Sequence, residues 1–296
     1  MAVARLGYLG LSSTDPAAWG PFGTDLLGLM SVPGEGDGVF LKMDDHPFRL
    51  MVEKGDEDKL ACAGWEVEDA DAYTATIAAL EASGATVTPG DEAGAARRCV
   101  TDYCVSADPA GNPIEIYHGR TNVGDAFESP QGVSKFLTGD MGLGHVVVPA
   151  PNQDETRAFY RDVLGFGDSD DLSLPPPAEG APDMRIVFLH AANPRHHSLA
   201  LFNFPVPSGV VHLMFEVPTI DEVGACLDRV TKAGVPLMAT LGRHCNDNML
   251  SFYAVGPGGI AVEYGCDGLQ LDWETFEPTT STVADIWGHE YQPVEV

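Results

Sequence analysis

Positive charge is scarce in this chain. Only 16 Lys and Arg stand against 44 Asp and Glu over 296 residues, a formal charge of −28. Such a surface repels phosphate backbones and anionic headgroups, so neither nucleic acid nor a membrane is an expected partner. The chain also lacks any run of about eighteen apolar residues of the kind that crosses a bilayer. The opening Met1-Ala2-Val3-Ala4-Arg5 has no apolar stretch like that of an export signal, and a cytoplasmic location is the expectation. None of the six cysteines falls in a Cys-x-x-Cys pair. A chain of this length buries enough core to stay folded without disulfides, so they are read as reduced thiols. What remains is ordinary globular composition, 44% hydrophobic and 20% charged, at a length that suits one large or two medium domains.

What is present is repetition. An apolar strand at Leu6-Gly7-Tyr8-Leu9-Gly10-Leu11 leads to a helix predicted over Asp15–Leu27 and strands at Val39–Met43 and Phe48–Val52. The plan returns at Leu143–Val148, with a helix over Asp154–Leu164 and strands at Ile186–Leu189 and His197–Phe202. A second pair of units starts at Ala63–Val67 and at Val211–Val217, with helices over Ala70–Ala82 and Ile220–Ala233 and final strands at Ile114–Tyr117 and Val262–Gly265. Each helix ends at or near a glycine (Gly28, Gly84, Gly165, Gly234), the residue that accepts the left-handed conformation of a helix C-terminus. The expected architecture is therefore α+β, with two similar domains of two βαβββ modules each. Periodicity lapses over roughly Gly119–Gly139, which sets the domains at 1–130 and 131–296. Residues 168–183, rich in Pro and acid, are expected to form a surface loop, and the segment after Cys266, with Trp273, Trp287 and His289, to pack back on a domain or cover a pocket.

Superposing the units places Tyr8 opposite His145, Cys62 opposite His212, and Glu115 opposite Glu263. Only the second half then offers two imidazoles and a carboxylate from equivalent strands. Two neutral imidazoles and one carboxylate, with other coordination positions open, form the facial triad of non-haem Fe(II) oxygenases. Taken singly, each histidine is more simply a hydrogen-bonded strand residue; the coincidence of three at module-equivalent places argues for a metal. Glu263, between Val262 and Tyr264, would be costly to bury without a cation or partner.

The strings Gly142-Leu-Gly-His145-Val-Val, Arg195-His196-His197-Ser-Leu-Ala, His212-Leu-Met-Phe-Glu-Val and Leu241-Gly-Arg-His244-Cys-Asn246-Asp247-Asn-Met-Leu-Ser-Phe-Tyr253, followed by Val-Glu263-Tyr-Gly, resemble the two-domain type I extradiol dioxygenases of the vicinal oxygen chelate superfamily. They look most like the 2,3-dihydroxybiphenyl 1,2-dioxygenases. The likeness runs over nearly the whole chain, from Leu6-Gly-Tyr8 to Trp287-Gly-His289. It implies modules curled into a funnel-like sheet and Fe(II) on His145, His212 and Glu263, with Mn(II) the less common occupant. It also implies His197, His244 and Tyr253 around a bound catechol, with Asn246 and Asp247 as polar support. By that resemblance the reaction is meta-cleavage of a 3-substituted catechol by O2, giving a muconic semialdehyde-type product, in a homo-oligomeric enzyme. His197 then suits the general acid that serves O–O cleavage, Tyr253 a donor to the ligated diol oxygen, and His244 a group that assists diol deprotonation. Phe188 and Val147, on strands beside the ligands, suit ring contact, though core packing accounts for them equally. Asn248 departs from the family, many of whose members carry His there.

Three other readings stand beside this one. An isomerase or epimerase of the glyoxalase type shares the scaffold but generally uses a different ligand set. A metal-free small-molecule binding protein needs only the repeats, as the first half illustrates. A hydrolase built on Cys245 beside His244 is weaker, because sequence neighbours seldom present a nucleophile to its base correctly.

Overall fold

The computed structural model describes residues 2–34, 36–122, 124–176, 180 and 182–292. The first half runs β1 (Arg5–Ser13), α1 (Pro16–Pro21), β2 (Met30–Val32), β3 (Val39–Lys42), β4 (Leu50–Lys54), β5 (Lys59–Glu66), α2 (Ala70–Ala82), β6 (Thr88–Pro89), α3 (Glu92–Arg98), β7 (Asp102–Ala107) and β8 (Pro113–His118). The second runs β9 (His145–Pro149), α4 (Gln153–Asp162), β10 (Gly167–Leu174), β11 (Met184–His190), β12 (Leu199–Phe202), β13 (His212–Glu216), α5 (Ile220–Lys232), β14 (Leu237–His244), β15 (Leu250–Val255) and β16 (Ala261–Cys266). Two short strands follow in the tail, β17 (Thr279–Ser281) and β18 (Asp285–Trp287).

Each half builds one mixed, curled sheet, ordered β2-β3-β4-β1-β5-β8-β7-β6 and β17-β10-β11-β12-β9-β13-β16-β15-β14-β18. The class is α+β, and the centres of the two sheets correspond strand for strand. The antiparallel pair β1–β5 sets Tyr8 against Gly64 and Gly10 against Cys62; the pair β9–β13 sets His145 against Met214 and Val147 against His212. The parallel pairs continue the match, Gly64 with Glu115 and Met214 with Glu263. Because strand side chains alternate with period two, identical register turns the equivalent side chains to the same face.

Local chemistry explains the elements. Asp69, Asp91 and Thr219 cap α2, α3 and α5 by accepting from backbone N–H groups three residues on. In α5, Val223, Cys226 and Val230 share the buried face at helical spacing. The helix expected over Asp15–Leu27 changes character midway: Pro21 ends α1, and Phe22–Leu27 continues as a π-helical turn closed by Gly28 at φ 77°. Proline has no N–H to donate to the α ladder, which favours a wider turn there. A continuous apolar core joins the sheets, with Trp65 of β5 edge-on to Tyr160 and Phe166, and Leu143 N–H donating to the Leu6 carbonyl.

The loop expected over 168–183 is corrected in its first part. Residues 168–174 belong to β10, with Asp170 and Leu172 buried; residues 177–179 and 181 lie outside the described residues. The tail packs back as expected, but in two directions. β17 pairs with β10 at one edge of the second sheet and β18 with β14 at the other, so one segment ties the two edges together.

Candidate metal centre

His145 opens β9, directly after Gly144 at φ 149°. Any Cβ at Gly144 would lie 2.0 Å from the Met214 carbonyl oxygen, so only glycine lets β9 approach β13 this closely. His212 opens β13, and Glu263 lies mid-strand in β16. Their side chains meet on one face: His145 Nε2 is 3.0 Å from Glu263 Oε2, His212 Nε2 is 3.3 Å from that oxygen, and the two imidazole nitrogens are 3.1 Å apart. The carboxylate is buried, and Ser251 Oγ donates to its Oε1 at 2.6 Å.

This donor set fits a metal ion. Bonds of about 2.1 Å to three ligands at right angles put the donor atoms about 3.0 Å apart, close to the observed separations. Two nitrogens and one carboxylate oxygen lie mutually adjacent, which leaves the opposite side for exogenous ligands. Burial disfavours the Glu263 anion, yet hydrogen bonding from His145, His212 and His244 holds its carboxyl well below the usual range. Burial lowers the proton affinity of His145, as a metal-binding imidazole requires.

The remaining expected residues surround the same space. His197 lies just before β12, not on it as the sequence suggested, and its ring sits 4.1 Å from that of His145 and 4.8 Å from Phe188. Its Nδ1 faces His196 Nδ1 at 3.0 Å and Asp247 Oδ2 at 3.8 Å, which leaves Nε2 for the cavity. Arg195, paired with buried Glu216, anchors this loop. Burial, with His145 adding to it, depresses the basicity of His197. At the end of β14, His244 brings Nε2 to 2.7 Å from the Tyr253 hydroxyl, while its Nδ1 lies 2.8 Å from Asp285. Burial opposes charge on His244, but hydrogen bonds to Asp285 and Glu263 prevail and raise its proton affinity well above the ordinary value. Burial, reinforced by Glu263, keeps Tyr253 a phenol. Asp247 also accepts from Met249 N–H and so holds the turn after β14; Asn246 lines the cavity beside it. Asn248 sits in that turn at φ 62°, a conformation asparagine tolerates, and its carbonyl accepts from Arg243.

All three ligand candidates open onto a cavity of about 430 Å³. Val147 and Phe188 line it, and so do Leu172, Leu174, Ile186 and Ala284, which the sequence reading did not single out. No Lys or Arg lines it among the described residues. Cys245 donates to the Val283 carbonyl at 2.7 Å, while both nitrogens of the neighbouring His244 are engaged elsewhere, so they do not form a nucleophile–base pair. Asp285, His289 and Ser251 were also missed as contributors, and only the Trp-Gly-His string in the tail hinted at them.

Paired modules curled around a buried His-His-Glu centre define the vicinal oxygen chelate class, and comparison with known proteins agrees. Residues 142–264 match the Glyoxalase/Bleomycin resistance protein/Dioxygenase superfamily, and residues 6–55 match the family described as Dihydroxybiphenyl dioxygenase BphC D1. Over 98% of both chains, this one is 41% identical to the iron-dependent extradiol dioxygenase of Rhodococcus jostii (strain RHA1). It is 42% identical to the biphenyl-2,3-diol 1,2-dioxygenase of Paraburkholderia xenovorans (strain LB400), over 98% of this chain and 96% of that one. A solved structure described as BphC, a halotolerant catechol dioxygenase, superposes with a TM-score of 0.90 at 33% identity, covering 98% of this chain and 95% of that one. The chain belongs to the extradiol dioxygenase family.

Proposed function

We propose that this protein cleaves a catechol bearing an apolar aryl or alkyl group at its 3-position, beside the diol, with Fe(II) and O2. The observation that carries the reading is the convergence of three donor atoms within 3.0–3.3 Å at the base of an apolar cavity. His145, His212 and Glu263 would hold the metal, and the name of the Rhodococcus jostii relative favours iron over Mn(II). A redox-active metal held there would supply the electron transfer between diol and dioxygen that no side chain provides.

The chain's own residues do the rest. His244 and the Tyr253 hydroxyl, 2.7 Å apart, stabilise the diol oxyanion by donating to it, which favours loss of its proton. On the other side of the centre, His197 Nε2 hydrogen-bonds to dioxygen and later gives up a proton, with Asp247 and His196 fixing its ring from Nδ1. Val147, Leu172, Ile186, Phe188 and Ala284 bury the substituent and exclude water. Among the described residues a charged substituent would find no lysine or arginine to pair with there, which favours neutral diols such as 2,3-dihydroxybiphenyl. This reading keeps the domain limits at 1–130 and 131–296 and a cytoplasmic setting. It also takes the enzyme as a homo-oligomer, for which exposed Val283, Ile286 and Trp287 offer apolar contact area.

Anaerobic loading with Fe(II), then air and a panel of diols, tests the reading. Oxygen uptake matched to ring-fission absorbance is expected, faster for 3-phenyl and 3-alkyl catechols than for carboxylated ones. Inertness toward every diol with iron content verified would overturn it.

A further inference from the structure

The first half keeps a cavity of its own on the matching wall. Along β3, Leu41 turns into the core, so alternation sends Phe40 and Lys42 to the opposite face. β2 pairs there, setting Val32 beside Phe40 and Met30 beside Lys42. These four residues, with Phe48 and Arg97, line a cavity of about 500 Å³. Register gives it the module position of the cavity at the metal centre. Phe40 pairs with Met51 and Met51 with Gly10, in the strand that carries Tyr8; Phe188 pairs with Ala200 and Ala200 with Val147, in the strand that carries His145.

Charge separates the two cavities. Among the described residues the one in the second half has no Lys or Arg in its lining, whereas this one has both. Lys42 is 2% exposed. Its Nζ donates to the His46 carbonyl at 3.0 Å, and no carboxylate among the described residues forms an ion pair with it. Asp44 is taken by Arg49, and Asp45 faces solvent. Asp125, an acid that also lines the cavity, is exposed. Arg97 pairs with Glu53 and reaches over the Phe40 ring at 5.6 Å. An ammonium has three N–H bonds to place, and burying it without a counter-ion is costly. Around it the walls are apolar, with Phe40 and Phe48 edge to face at 5.0 Å.

We propose that this cavity is a second ligand site, one that takes a small monocarboxylate with an aromatic or alkyl body. The carboxylate stands against Lys42 Nζ and supplies the counter-ion that the fold leaves out, while the body packs against Phe40, Phe48, Met30 and Val32. A neutral molecule leaves the ammonium uncompensated, and an inorganic anion forgoes the apolar walls. Multiply charged anions meet repulsion from a chain of formal charge −28. The two cavities share no lining residue, so the site stands apart from the reaction proposed above.

Calorimetric titration of the full chain with benzoate and with benzamide, its neutral counterpart, tests this. Benzoate should bind at least about tenfold more tightly, the worth of a hydrogen bond to a charged group. Lys42→Met keeps the stem and deletes the charge; it should fold, because an apolar replacement for a buried charge is tolerated. Its benzoate affinity should fall at least about tenfold, and its benzamide affinity should change less than about threefold. His212→Ala, which disables the metal centre, should bind benzoate as wild type does. A crystal of the full chain soaked in 4-bromobenzoate needs no variant, and the anomalous signal of bromine is expected among Phe40, Phe48 and Met30. Absence of benzoate binding overturns the inference, as do equal affinities for benzoate and benzamide or a Lys42→Met chain that binds benzoate as wild type does. Bromine at the metal centre alone, or loss of benzoate binding in His212→Ala, overturns it too. No arm depends on turnover, so a chain inert toward every diol would sink the proposed function and leave this test intact.

Discussion

The two halves place the same three strand positions around a point and fill them oppositely. In the second half, His145, His212 and Glu263 leave one buried carboxylate beside two imidazoles, and no Lys or Arg lines the cavity among the described residues. In the first, Tyr8 donates to Glu115 Oε2 at 2.5 Å, Cys62 is buried alongside, and Arg98 grips both oxygens of Glu115, Nε at 2.6 Å and Nη2 at 2.5 Å. A carboxylate buried this deeply needs a cation. The first half supplies its own as a guanidinium, and the second offers the place to a metal ion, which its donor set fits. Arg98 comes from the end of α3, between β6 and β7, where the second half has β14 and the turn that deliver His244 and Asp247. The same slot in the module thus carries a plug in one copy and a cavity-lining histidine in the other.

The largest expected effect breaks the second copy alone. His212→Ala should reduce metal retention by more than the 10- to 100-fold typical of a supporting partner, and abolish ring cleavage. The protein should stay folded, since a polar strand-end histidine whose side chain is 12% exposed is not part of the apolar core. Metal analysis of the purified variant, with circular dichroism, checks this. Tyr8→Ala should leave metal content unchanged, and equal metal loss from the two would destroy the contrast between the halves.

Next comes removal of the plug. Arg98→Ala leaves Glu115 buried without its counter-ion, a loss of about 3–5 kcal/mol when one partner of a buried pair is deleted. Denaturant unfolding should show it, while kcat per folded molecule and metal content stay at wild-type values. A large fall in kcat of the folded fraction would mean that the first half takes part in catalysis, and the comparison would need redrawing.

Much of this contrast was legible in the sequence because repetition makes register readable. Once Glu66-Val67 is set against Glu216-Val217 and Pro109 against Pro257, Glu115 falls opposite Glu263 without knowledge of the fold. What stayed hidden depends on partners far away in the chain. β10 reads as Asp-Ser-Asp-Asp before a run of prolines, a loop by composition, yet Asp170 is buried because Thr279 and Ser281, more than a hundred residues later, donate to it. Arg98 carries no signal in the sequence, and its grip on Glu115 follows only from where α3 lands on the sheet. Asp285 sits in a tail without a module partner, so the repeat argument had no second copy against which to read it.

The smallest expected effect asks whether the phenol in the first half matters once the guanidinium is present. In Tyr8→Phe the carboxylate of Glu115 keeps both bonds to Arg98, so no buried charge is orphaned and the ring still stacks on Tyr117 at 5.1 Å. The loss should be that of one hydrogen bond, about 1 kcal/mol, well below the cost of deleting Arg98. Additivity decides between two descriptions of the plug. If Tyr8 and Arg98 neutralise Glu115 independently, the double variant loses the sum of the two. If the phenol only completes a site that the guanidinium organises, Tyr8→Phe costs less in the Arg98→Ala background than alone, because a buried carboxyl that protonates once its cation is gone gains less from that donor. The short contacts of both groups to the same oxygen, Glu115 Oε2, favour coupling, and a double-mutant cycle by denaturant unfolding measures it directly.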